Sequence, residues 1–499
     1  MRKKIIDRVL ILLIYIFTVL FISGNMYGFD EPQVKYSDAR VMGMGNTFVA
    51  IADDKNMLFF NPAGFAYYGL MKTSKLDAIK DPTLWKPRYT NFGDLTILGL
   101  TIGADTGIIK KYFGGIPYVS DTGEKPLKDI IDNDYFDKIS EGTITEEEAK
   151  AFNNDLTQLA YTTLHPTVKW EYFSYARHYF GFGLFSTSDL VLSFEPVGLL
   201  LFQPVAQINS DLIFPIGFGM HIPGYKDWSV GVTFKYFQRV RAVVDNMNDA
   251  IALQQFFTGD YIKEDLDSEL KSKSIWEIMF GGINYSKIPV SQFKIGTGYG
   301  FDIGVMYRPS YAWRYGFLLS DIYTKIKWWD GAESSHIKPD LRAGIAYMPG
   351  LSLWGIFEDP IFAMDIEDLF HTQHKNFFLK FHFGIEFKFL FRLLSVRAGI
   401  QDGYPSIGLG IDVSFYFLSK LPVFKYLRPD SIYFPKFNPK DKEFIQKNIC
   451  CWCFTGLLAP ILYSHIKIDV SYTGSELGDY PGELQNYQFL FKFSYTYSY

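Results

Sequence analysis

Cysteine is almost missing from this sequence: 499 residues carry 3, all in the stretch CCWC as Cys450, Cys451 and Cys453. Three neighbouring thiols cannot staple distant parts of a fold, and a zinc site would need a second ligand pair, for which the lone nearby candidate is His465. They are read as small apolar side chains. Long hydrophobic runs are scarce too. One opens the chain, and a second, ICCWCFTGLLAPILYSHI at 449–466, is interrupted by Pro460, so it reads better as a strand, a turn and a further strand than as a membrane helix. A mean hydropathy of +0.01 is far too low for a bundle of membrane helices. A positive charge balance is also lacking, with 49 basic residues against 54 acidic ones. Nucleic acid, which needs a basic face, is not an expected partner.

The first run, MRKKIIDRVLILLIYIFTVLFISGNMYG, has a basic start (Arg2, Lys3, Lys4, Arg8) and an apolar stretch from Val9 to Ser23. At about 15 residues that stretch is short for a membrane span and has the form of a secretory signal, expected to be cleaved between Ser23 and Gly28; an uncleaved anchor is the alternative. Removing 1–28 takes away four basic residues and Asp7, which leaves 45 basic and 53 acidic residues, a balance of −8.

Signatures of catalysis are lacking as well. GMGNTF lacks the third glycine of a dinucleotide loop and follows no strand, and neither a Walker loop nor a G-x-S-x-G elbow occurs. His371 and His374 in HTQH have a metal-like spacing but no third ligand. No enzymatic activity, cofactor or metal is expected.

What the chain has in abundance is aromatic side chains, 18% of residues with 47 Phe and 34 Tyr, beside 21% charged residues. The two classes alternate. In NYQFLFKFSYTYSY, the last residues, Tyr487, Phe489, Phe491, Phe493, Tyr495, Tyr497 and Tyr499 share one face, while Asn486, Gln488, Lys492, Ser494, Thr496 and Ser498 share the other with Leu490. WSVGVTFKYFQ sets Trp228, Val230, Val232, Phe234 and Tyr236 against Ser229, Gly231, Thr233 and Lys235. YGFDIGVMYR, FLKFHFGIEFKF and SIGLGIDVSFYF repeat the pattern at 299–308, 378–389 and 406–417. Period two means strands with two unlike faces. A strand tilted by about 45° crosses a bilayer in roughly 9 to 11 residues, and about 14 segments of this kind are found. Polar, helix-like inserts at about 105–163 and 244–276, and a Pro- and Lys-rich connection at 418–448, interrupt them.

A soluble sandwich also alternates, but its buried face is mostly Val, Ile and Leu. Here the apolar face is heavily Phe and Tyr, and the polar face carries Gly, Ser, Asp and Lys. That suits lipid outside and a polar lumen inside. Hydrocarbon cannot satisfy an open sheet edge, so the sheet must close. The expected fold is all-β, a transmembrane outer-membrane antiparallel barrel of about 14 strands. Tyr307, Trp313, Trp328 and Tyr347 near strand ends are expected in interfacial girdles.

Residues 36–69 do not alternate, although they are apolar: YSDARVMGMGNTFVAIADDKNMLFFNPAGFAYYG. Irregular apolar chain must be buried in protein, and in a barrel the lumen is the natural place. Asp53 and Asp54 are expected to cap a short helix that stops before Asn61-Pro62. This stretch resembles the N-terminal hatch of FadL-like outer-membrane proteins, which transport long-chain fatty acids and other hydrophobic compounds, and it is equally similar to PorV-like relatives. Gly43, Met44, Gly45 and Asn46, and then Asn61, Pro62, Ala63 and Gly64, carry the likeness, which continues more weakly through GYGFDIGVMYRP, FAMDIEDL, LSVRAGIQDGYPSIGLGIDVSF and YTGSELGDYPGE.

With the signal at 1–28, the chain is expected to divide into a hatch at 29–69 and a barrel over 70–499; the resemblance implies that the barrel has fourteen strands and is plugged by the hatch. Hydrophobic molecules would be captured outside and leave through a break in the wall. The expected function is hatch-gated passive uptake of hydrophobic or amphipathic small molecules across a bacterial outer membrane. The alternative is a PorV-like binding, secretion-accessory or structural barrel without transport. Membrane lipid, a hydrophobic substrate and the outer-membrane assembly machinery are the expected partners, the last reading the terminal Tyr499. Lys235, Asp302, Arg308, Arg342, Asp365, Glu367, Lys380, Glu386, Lys388, Asp412 and Lys492 are expected to face the lumen, either as a paired network that braces the barrel and docks the plug or as a polar solute path.

Overall fold

The computed structural model describes residues 33–34, 36–68, 93–105, 145, 163–197, 201–244, 294–310, 312–329, 331–353, 356–370, 376–390, 392–414, 464–476 and 485–498. The stretch 1–28, the three cysteines, His371, His374, Tyr499 and nearly all of the three expected inserts lie outside them.

Fourteen antiparallel strands form the wall. They are β1 (Asp94–Asp105), β2 (Thr167–Arg177), β3 (Phe180–Val197), β4 (Leu201–Ile222), β5 (Tyr225–Val244), β6 (Lys294–Tyr307) and β7 (Trp313–Trp328), followed by β8 (Asp340–Tyr347), β9 (Phe357–Ile366), β10 (Phe381–Phe389), β11 (Leu394–Gln401), β12 (Tyr404–Ser414), β13 (Ser464–Glu476) and β14 (Gln485–Ser498). Each pairs with its neighbour in sequence. The ring closes where Asp94 to Asp105 of β1 run against Ser498 to Gln488 of β14. No wall strand keeps a free edge, as a structure in hydrocarbon requires.

The two faces of β14 separate as the alternation predicts. Phe489 and Phe491 are exposed, whereas Gln488, Lys492, Ser494 and Thr496 are buried. The same holds on β6, where Tyr299, Phe301 and Ile303 are exposed and Asp302 is buried, and on β12, where Ile407, Leu409 and Ile411 are exposed. A soluble protein does not leave a continuous belt of Phe, Ile and Leu open to solvent. These faces meet lipid, and the barrel is transmembrane. Trp228 stacks on Tyr307 at 4.4 Å between ring centres, and Trp313 lies 4.8 Å from Tyr347, in line with an interfacial girdle. Trp328 is a correction to that set. It lies opposite Gly296 on the inward side, is buried, and its indole N–H donates to Ser335 Oγ at 2.8 Å. A single aromatic at a strand end does not reveal which face it is on.

The wall is uneven in height. β3, β4 and β5 have 18, 22 and 20 residues, whereas β8, β10 and β11 have 8, 9 and 8. Asp94 and Ser498 mark one rim, which also holds the short connections after Arg177, Ile222 and Phe389. Asp105, Thr167, Val244 and Lys294 mark the opposite rim. Ser414 and Ser464 lie at the rim that bears Asp94 and Ser498, since Ser414 pairs with His465 and Ser464 with Tyr497.

Candidate functional site

Residues 33–68 touch the inward face of every wall strand, from Thr96 on β1 round to Lys492 on β14. A segment in contact with the whole circumference of a closed ring lies within it. Its regular parts are short: helix α1 (Ala39–Gly43), helix α2 (Met57–Phe60) and a 3-10 turn, Pro62–Tyr67. Asp38 caps α1 through Val41 N–H at 3.1 Å. Left-handed Gly45 (φ 63°) and Asn46 (φ 60°) then reverse the chain. Helix α2 stops at Phe60, before Asn61-Pro62, as expected. Asp53 does not cap it, because both its oxygens bond the guanidinium of Arg40; Asp54 bonds Arg40 through Oδ2, while its Oδ1 accepts from Asn56 N–H at 2.8 Å just ahead of the helix. An ion pair with a residue 13 positions away is invisible to a local capping rule.

Each predicted hatch residue has a specific place. A Cβ at Gly43 would lie 3.0 Å from the Cα of Gly408 on β12, and one at Gly45 would lie 2.5 Å from Phe383 O and 2.6 Å from Ile400 O. The segment therefore presses backbone to backbone against β10, β11 and β12, tightly at Gly43 and at Gly45 so closely that only glycine fits. Met44 is fully buried, and its carbonyl accepts from Thr47 Oγ1 at 2.7 Å. Asn46 Nδ2 donates to Glu367 at 3.4 Å. Asn61 is used at both ends of its amide: Oδ1 accepts from Ala63 N–H at 3.1 Å, while Nδ2 donates to Val49 O at 2.9 Å and to Val305 O on β6 at 3.2 Å. Pro62 rests on Gly231, whose Cβ position would be 2.3 Å from the Pro62 carbonyl carbon. Ala63 O accepts from Ser229 Oγ at 3.0 Å, and Gly64 fits beneath Ala52 O.

The inward charges are engaged in pairs. Arg40 is the hub of the largest group, bonding Asp53 at 2.8 Å, Asp54 at 2.6 Å and Glu386 of β10 at 2.8 Å. Arg397 of β11 bonds the same Glu386 at 2.8 Å and Asp469 of β13 at 2.6 Å. Lys492 bonds Asp38, Lys55 bonds Glu171 of β2, and Lys169 donates to Ser37 O and Oγ. Asp365 accepts from two successive backbone N–H groups, Phe48 at 2.7 Å and Val49 at 2.9 Å.

The remaining predicted residues brace the wall. Lys235 bonds Asp302 at 2.9 Å and Asp321 at 2.5 Å, Arg342 bonds Asp340 at 2.6 Å and Glu367 at 2.9 Å, and Lys380 bonds Asp368 at 2.8 Å. Asp412, partly exposed near the end of β12, meets His465 at 3.1 Å and Lys467 at 3.6 Å. Half-buried Lys388 continues the inward face of β10. Arg308 lies over the ring of Tyr67 at 4.3 Å.

These pairs set the acid–base character of the segment. Burial raises the Asp38 carboxyl, but the Lys492 ammonium outweighs it and holds the group well below the usual range. Asp53 is likewise lowered, burial being overcome by Arg40. Asp54 goes the other way: burial raises it, and the Asp53 charge adds to that against the pull of Arg40. Burial depresses Lys55, with Glu171 opposing.

Asp38, Arg40, Lys55 and Glu171 are anchoring residues that sequence reasoning did not single out. The signal was present for the first three: charges inside a segment already judged too apolar and irregular to lie in water need buried partners.

No protein-family model matches the chain, and neither does any curated protein. Among solved structures, it is similar to the Pseudomonas putida toluene transporter TodX, with 12% identity over 95% of this chain and 99% of that one and a TM-score of 0.39. It is similar to a Pseudomonas aeruginosa FadL homologue, with 12% identity over 94% and 99% and a TM-score of 0.37. A TodX mutant described as a monoaromatic hydrocarbon channel gives 11% identity over 93% and 99% and a TM-score of 0.43. With TM-scores below 0.5 these are loose likenesses, and the functional reading of the chain rests on its own residues.

Proposed function

We propose that this chain is an outer-membrane channel for passive uptake of hydrophobic or amphipathic small molecules, gated by residues 33–68. The observation that carries the reading is the contact of that segment with all fourteen inward faces. Solute cannot pass along the barrel axis while the segment is seated, so passage requires it to shift. Its construction suits a movable part. The helices have 5 and 4 residues, far below the length at which a helix is stable alone, so the wall contacts hold the conformation.

The wall offers a candidate exit. β3 and β4 are unpaired between Gly183–Leu184 and Phe214–Pro215, where the proline has no N–H to give. Apolar solute released there would enter lipid directly.

The test is flux of a fluorescent fatty acid into vesicles containing the full chain or a variant lacking 37–66. Altered flux in the deletion supports gating, and equal flux in the two removes it. No flux in either, together with a stoichiometric protein partner from outer-membrane extract, would move the chain to the accessory reading.

A further inference from the structure

Charged side chains are scarce on the lipid-facing side of the described strands. Arg177 ends β2 at the rim that carries Asp94 and Ser498. Far from it, Lys325 and Lys327 stand two residues apart near the end of β7, both exposed. Neither makes an ion pair with any described residue. Lys325 is the cross-strand partner of His336 on one side and of Tyr299 on the other, and Lys327 faces Thr297. Cross-strand neighbours stand about 5 Å apart and second neighbours along a strand about 7 Å apart, so two ammonium groups and an imidazole share one small patch.

The height of the patch is set by the girdles. From Trp313 to Tyr323 the outward face of β7 climbs about 20–23 Å at a tilt of roughly 45°, close to the apolar band of such barrels. Tyr323, 67% exposed, and Tyr299, 50% exposed, mark the far edge of that band. On β6, Phe301 and Ile303 lie below Tyr299, with Tyr307 at the opposite end. Lys325 and Lys327 therefore stand just beyond the hydrocarbon, their stems over tyrosines and their ammonium groups at headgroup level. Glu333, exposed in the connection after β7, makes no ion pair with either lysine, and Asp321, four residues before Lys325, is buried against Lys235.

We propose that Lys325, Lys327 and His336 form an outward-facing seat for the phosphate of a membrane lipid headgroup in the leaflet at the rim opposite Asp94 and Ser498. Tyr299 and Tyr323 support its acyl or sugar portion. Two cations with no counter-ion among the described residues, at the level where lipid phosphates lie, are complementary to that group, and each adds to retention. The seat is independent of the transport reading, since it lies outside the bore.

The test uses the full chain in phosphatidylcholine nanodiscs doped with either a diphosphoryl glycolipid (lipid A) or the same glycolipid with its phosphates removed, and reads retained lipid by native mass spectrometry. The wild type is expected to retain the phosphorylated form about tenfold over the dephosphorylated one, the Lys325→Gln/Lys327→Gln pair to lose that preference, and the Lys325→Arg/Lys327→Arg pair to keep most of it. Equal retention of the two glycolipids by the wild type overturns the proposal without reference to any variant. An undiminished preference in the glutamine pair overturns the residue assignment. Loss of retention on adding millimolar inorganic phosphate makes the site one for free anions, which also overturns it.

Discussion

The two halves of the segment inside the barrel are held by different chemistry. Residues 38–55 carry Asp38, Arg40, Asp53, Asp54 and Lys55, and they meet Lys492, Glu386 and Glu171 on the wall. Residues 56–68, NMLFFNPAGFAYY, carry no charge. They lie on Gly217, Gly219, Gly231 and Gly304 of β4 to β6, with Phe65 packed among them. The first half is fixed by groups that protons can titrate. The second has no charge of its own and is fixed by shape and hydrogen bonds, whereas the first adds ion pairs to the backbone contacts that Gly43 and Gly45 make. Docking of two kinds gives the two parts different responses to pH and to substitutions in the wall.

Four substitutions break or sharpen this contrast. Arg40→Ala has the largest expected effect, because it leaves Glu386, Asp53 and Asp54 facing one another with one guanidinium, that of Arg397, in reach of Glu386; removing one partner of a buried pair costs about 3–5 kcal/mol. Hydrogen exchange should rise over 38–54 and stay slow over 57–67. Gly231→Val should do the reverse at about 3 kcal/mol, since its side chain would enter the space of the Pro62 backbone. If either variant loosens both halves equally, the two anchors act as one.

Asp365→Asn should cost about 1–3 kcal/mol: Phe48 and Val49 N–H both donate to Oδ2, which an amide oxygen replaces only without its charge, while the amide NH2 would take the place of Oδ1, which is buried without a hydrogen-bond partner. Its mark is faster exchange confined to 47–50. Asp54→Asn should have the smallest effect and the opposite sign. The folded carboxyl binds its proton more tightly than the unfolded one, so its ionised form weakens docking above the ordinary carboxylate range, and acid relieves that strain. Asp38 behaves inversely, its contribution being present above the unfolded value and lost as pH falls through the lower folded one. Asp54→Asn should slow exchange over 38–54 at pH 7 and flatten its improvement on mild acidification. An unchanged pH profile would show that another group governs it.

Much of the wall was legible beforehand because period two is a local property. Seven aromatics on one face of 487–499 already name the solvent on each side, and the closed ring follows from the unsatisfied edge. Burial of 36–68 was legible from apolar content without periodicity. What locality hides is pairing. Nothing near Asp53 and Asp54 points to Arg40, and Trp328 has the composition of a girdle residue while facing inward. The inward glycines, read first as lining for a polar lumen, are seats for the segment; Gly231 and Gly399 look alike in sequence whether they face water or another backbone.

A reversible lock gives the most direct test of gating. A Cβ at Gly43 would lie 3.3 Å from that of Ser471 on β13, within reach of a disulfide. The measurement is fatty-acid flux into vesicles bearing Gly43→Cys/Ser471→Cys, in a chain whose Cys450, Cys451 and Cys453 are replaced by Ser. Flux is expected to fall to background when the pair is oxidised and to return on reduction. Equal flux in the two states, with the cross-link verified, would contradict the claim that residues 33–68 must shift for solute to pass.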